Sequence, residues 1–156
     1  MRFLGRAVFA LAVLCWPWTL RAFDVSYGSL FQVANVSVSA DKVMLPLSRG
    51  QYANIRMLTR KTLDFVKSCS GPCVQDAGSG EIKVEEFRAA KTRGGMWIAD
   101  VSFDGHWLVT FLVFQNKNGY AVKPPEYFRF LDKKLRSRAE KTLTELAARD
   151  ADENSL

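Results

Sequence analysis

Hydrophobic and polar positions change period several times along the chain, and each change marks an expected element. Between Leu30 and Leu47, "NVSVSA" sets Val36 and Val38 in alternation with serines, which is strand spacing. "KVMLPL" reads as a second short strand that Pro46 confines to an edge or an end. "SRGQ", Ser48 to Gln51, then has the form of a capping box. Tyr52, Ile55, Leu58, Phe65 and Val66 follow at helical spacing, so a helix is expected from there to Ser68, where Gly71-Pro72 breaks the chain.

The second half predicts a β-meander. "EIKVEEFRAA" (81–90) reads as a half-exposed strand. From Met96 to Phe103, Trp97, Ala99, Val101 and Phe103 share one face, and Asp100 and Ser102 share the other. Asp104-Gly105 is the strongest hairpin signal in the chain, because both central residues of a type I′ turn need φ > 0. "HWLVTFLVFQ" (106–115) is apolar on both faces and reads as a central strand, either covered on both sides or covered on one side with a deep groove on the other. "NKNG" turns the chain into Tyr120–Val122. "KPPE" then starts a last helix, with Pro125 in its first turn. Tyr127, Phe128, Leu131, Leu135, Ala139, Leu143 and Leu146 form its apolar stripe, and Lys133, Lys134, Arg136, Arg138 and Lys141 its solvated side. The expected fold is α+β: an antiparallel meander of about four strands packed against two helices, with a short N-terminal β segment. Residues 23–29 show no clear pattern, and residues 150–156 read as a polar, solvated tail.

The first 22 residues follow a different logic. Arg2 and Arg6 precede fourteen uncharged residues, Ala7 to Leu20. That is the length of a signal-peptide core and short of the roughly 20 apolar residues of a spanning helix. Ala22 suits the position before a cut, so 1–22 is expected to be a signal peptide and 23–149 a single domain outside the cytoplasm, periplasmic or secreted. Lipidation of Cys15 is disfavoured by Leu14 before it. Removal of the leader leaves two cysteines, Cys69 and Cys73, an even number suited to an oxidising compartment. It also removes Arg2, Arg6 and Arg21, leaving 19 basic against 16 acidic residues, so the net charge falls from +6 to +3. That small excess argues against nucleic acid as a partner. Asn35-Val36-Ser37 has the form of a glycosylation sequon.

"CSGPC" resembles a redox dithiol, but it has C-x3-C spacing. Cys69 would follow a helix, where the dipole does not favour a thiolate. A structural disulfide closing a five-residue ring is the expectation. His106 is the only histidine. A hydrolase would need it as base, with Asp100 or Asp104 orienting it and Ser102 or Thr110 nearby. Spacing alone does not bring these groups together. Glu81, Glu85 and Glu86 crowd one strand instead of facing each other across a cleft, as glycosidases require. One histidine and two joined cysteines do not make a zinc site. No metal site or cofactor is expected.

What remains is surface. Trp97, Trp107 and Phe111 concentrate aromatic mass that either packs a core or lines a groove for an apolar ligand or partner. Arg56, Arg60 and Lys61 form a basic contact face for an acidic partner, an acidic polymer or an anionic membrane surface. The functional expectation is an exported, non-catalytic binding module, a periplasmic accessory protein that binds a partner protein in envelope assembly, secretion or inhibition. The alternatives are a small exported hydrolase built on His106 with Asp100 or Asp104, and a carrier of an apolar ligand.

Overall fold

The computed structural model describes residues 21–40, 42–48, 54–91 and 95–153. The expected leader up to Leu20 and the Gln51 half of the capping box lie outside them.

The chain is α+β, with ten strands and two helices among the described residues. Phe23–Tyr27 (β1), Phe31–Ser39 (β2) and Lys42–Met44 (β3) come first. Ile55–Met57 (β4), the helix Arg60–Ser68 (α1) and Cys73–Gln75 (β5) follow. The meander is Ile82–Ala89 (β6), Met96–Phe103 (β7), Trp107–Asn116 (β8) and Gly119–Lys123 (β9). Phe128–Phe130 (β10) and the helix Lys133–Glu153 (α2) complete the order.

These strands form two sheets. One runs β10-β2-β1-β5, with β3 also on β2; β1 and β5 are parallel, the other pairs antiparallel. The other runs β4-β8-β7-β6, with β9 also on β8, and is antiparallel throughout. The four-stranded meander expected from the sequence is the body of this second sheet. Asp104 and Gly105 have φ of 50° and 66°, as the hairpin signal required.

The inner faces of the two sheets meet through aromatic rings. Phe31 of the first sheet lies 5.1 Å from Phe103 and 6.3 Å from Trp107 of the second, centroid to centroid. Phe128 and Phe130 close on Phe103 and Phe111. Where the first sheet does not reach, α2 covers the inner face. Leu135, Ala139, Leu143 and Ala147 are its buried stripe, and it packs on β8, β9 and β10. Near its end, Asp150 accepts a 2.7 Å hydrogen bond from Trp97 Nε1.

Four expectations change. Residues 23–27 are a buried strand, because Phe23, Val25 and Tyr27 alternate inward. Residues 55–57 are strand, not helix: the edge of β8 offers unpaired backbone there, and Ile55 pairs with Val109. α1 starts at Arg60, where the Thr59 side chain accepts from the Thr62 amide at 3.2 Å. Phe128 and Phe130 form β10 on β2, so α2 starts later than Pro125, with Asp132 accepting from the Leu135 amide at 2.7 Å. The polar end expected from residue 150 is helical as far as Glu153.

Candidate functional site

The sequence-predicted groups are dispersed by the fold. Trp107 and Phe111 are fully buried and Trp97 nearly so. Their rings belong to the aromatic interior and not to an open groove. Cys69 and Cys73 lie at disulfide distance with Cα atoms 6.1 Å apart, within ordinary disulfide geometry. They join the end of α1 to the start of β5. Arg56 does not share a helix face with Arg60 and Lys61. It projects from β4 and pairs with Asp100 at 2.7 Å, whereas Arg60 and Lys61 lie in the first turn of α1, exposed, with Arg60 3.4 Å from Asp64.

His106 ends a chain of side chains that leads into the core. Its Nδ1 lies 3.0 Å from Thr59 Oγ1, which lies 2.9 Å from Thr62 Oγ1. Gln75 Nε2 donates to Thr62 Oγ1 at 3.2 Å, and Trp107 Nε1 donates to Gln75 Oε1 at 3.0 Å. The His106–Thr59 and Thr59–Thr62 bonds run in one direction or the other together, set by the imidazole tautomer. A catalytic triad needs a carboxylate at Nδ1, and a threonine hydroxyl occupies that position here.

The two aspartates are engaged elsewhere. Asp104 accepts from the amides of Gly80 (3.1 Å) and Glu81 (2.8 Å) and from the Ser79 hydroxyl (3.3 Å). Burial alone would raise the Asp104 carboxyl; the Glu81 and Gly80 amides with the Tyr27 and Ser79 hydroxyls outweigh it, and the group titrates below its usual range. Tyr27 moves the other way, raised by burial and by the neighbouring Asp104 charge, against the Gly78 amide. Asp100 accepts from Thr110 Oγ1 at 2.6 Å as well as from Arg56. Ser102 is 2% exposed and donates to Glu85 at 2.7 Å. Among the described residues no group of three metal-binding side chains gathers, and every buried side-chain polar atom has a partner.

Among the described residues, a feature with room for a ligand lies on the outer face of the second sheet. Inward side chains of β7 and β8 fill the core, so their neighbours point away from it. The registers set these outward residues in rows. One row is Lys123, Leu112, Ile98 and Arg88, crossing β9, β8, β7 and β6. The next contains Thr110, Asp100 and Glu86, with Asn54 bonded to the Thr110 amide through its carbonyl at 2.8 Å. These rows floor a concavity of about 900 Å³. Met96, Ile98 and Leu112 are its apolar floor; Pro124 and Pro125 wall one side, and Arg88, Ala90 and Lys91 the other. The polar end is Ser48, Asn54, Arg56, Asp100 and Thr110.

The two-faced apolarity of residues 106–115 offers a deep groove on one face as an alternative, but sequence reasoning missed the residues that line it, because Ile98 and Leu112 come together with the rim only through strand pairing. Compared with known proteins, the chain matches no family model, no curated protein and no solved structure.

Proposed function

We propose that this chain is an exported, non-catalytic binding module, and that its working surface is the concave outer face of the second sheet, where it takes a partner protein. The observation that carries the reading is an apolar floor of Met96, Ile98 and Leu112 left outside the core and bordered by cations. Apolar surface grouped in a concavity with a polar rim is the usual form of an interaction site. The groups that would otherwise support a hydrolase, His106, Asp100, Asp104 and Ser102, are each held by a separate structural bond. The space that an apolar-ligand carrier would need between sheets and helix holds the rings of Phe31, Phe103, Phe111, Phe128 and Trp107.

Export rests on the leader sequence and is supported by the cysteine pair at disulfide distance. The periplasm of a double-membraned bacterium fits both. An accessory role in envelope assembly, secretion or inhibition is the corresponding activity.

A photo-crosslinking amino acid placed at Leu112 tests the reading in living cells. The expected result is a discrete protein adduct from position 112 and none from position 141, which lies on the solvated side of α2. Equal adduct patterns from both positions, or none from 112, would overturn it.

A further inference from the structure

Resting on that reading, we infer that the concavity recognises an extended acidic peptide segment of its partner, with an acidic–x–apolar–x–acidic pattern facing the floor. The row Lys123–Leu112–Ile98–Arg88 has a cation at each end and two apolar side chains between them. Neighbouring strands lie about 4.8 Å apart, so the backbone positions of the two cations are about 14 Å apart across the sheet. An extended peptide advances about 3.4 Å per residue and turns alternate side chains to one face. Its residues i and i+4 are therefore also about 14 Å apart, with i+2 midway over Ile98 and Leu112. The sheet's spacing and the peptide's spacing coincide at that pattern and at no shorter one.

Charge favours the same occupant. Among the described residues Lys91 and Lys123 make no ion pair. Arg88 donates to Glu86 through one nitrogen at 3.0 Å and keeps further donors for a carboxylate. Of the acids on this face, Asp100 is bonded by Arg56 and Thr110 and Glu86 is paired with Arg88, while Glu126 follows Pro125 in the lining. The concavity is half open along the strand rows, so a chain crossing the strands can enter it. An enclosed pocket would be needed to bury most of a fatty acid.

The test is an NMR titration of the full chain with an end-blocked Glu-Thr-Leu-Thr-Glu peptide, following the methyl signals of Ile98 and Leu112. We expect saturable shifts there and none at Leu143 in the core. A Lys-Thr-Leu-Thr-Lys peptide should leave all three unchanged, and added salt should weaken the acidic peptide. Arg88→Glu with Lys123→Glu should weaken binding about tenfold or more, from two reversed rim charges, with the thermal midpoint unchanged. Equal response to both peptides would overturn the inference. So would shifts produced by dodecanoate but not by the acidic peptide, which would assign the trough to an anionic amphiphile. A protein adduct from position 112 with no peptide response would sink the acidic motif and leave the binding module standing; loss of both would sink both.

Discussion

Asp104 does two things from one position. Its backbone adopts a left-handed conformation that aspartate tolerates better than most residues, which closes the β7–β8 hairpin. Its carboxylate then holds the 79–81 loop by two amides and a hydroxyl. Gly78 fits because a Cβ there would sit 2.8 Å from the carboxyl carbon. The depressed titration of Asp104 fixes the sign of its pH dependence. A carboxyl lower in the folded than in the unfolded state stabilises the fold above the unfolded value of about 3.9, and loses that effect as pH falls through the folded value. Asp104→Asn keeps a residue that accepts the turn conformation and removes the charge. It should cost about 1.5 kcal/mol at pH 7, the order of a charge-assisted hydrogen bond. The gap from the parent protein should close as pH falls toward 2, in urea midpoints measured across that range. A gap independent of pH would show that the charge is not what holds the loop.

At the scale of elements, α2 carries the clearest energetic expectation. Leu143 is 1% exposed in the stripe that seals the inner face of the second sheet, while Lys141 is on the solvated side. Leu143→Ala should cost about 3 kcal/mol in chemical unfolding and Lys141→Ala within about 0.5. The same element shows what could be read from the chain. Its stripe at Leu135, Ala139 and Leu143 repeats at helical spacing, so its face was legible; its start was not. The Pro125 signal is real local chemistry, but Phe128-Arg129-Phe130 alternates, and an open edge of β2 beside an unfilled aromatic core draws it into a strand. β4 was misread for the same reason. Ile55-Arg56-Met57 satisfies a helical stripe and a two-residue alternation equally, and the tertiary partner on β8 decides. The meander was legible because its turns are local and its alternation is long. β1 shows the opposite case: Phe23, Val25 and Tyr27 alternate cleanly, but five residues give too short a window.

At the scale of the whole molecule, and among the described residues, the sheets and α2 enclose one interior that aromatic side chains fill, and the outer face of the second sheet carries the concavity. Floor and rim residues can change without opening the core, so under the proposed function stability and recognition are separate, and the cations that face outward on β6 and β9 would set which ligand the trough favours. A groove beside residues 106–115 was legible as an alternative, but its lining was not, because it is assembled from four strands by register. Lys123, Leu112, Ile98 and Arg88 have no relation in sequence until the meander pairs them. The most direct test of the central claim, that this trough is the occupied face in the living cell, is methionine oxidation read by mass spectrometry in cells and on the purified protein. Met96 lies in the trough, and Met44 is 42% exposed outside it. The account predicts that Met96 oxidises in the purified protein and is protected in cells, while Met44 reacts alike in both. Equal oxidation of Met96 in the two settings would contradict it.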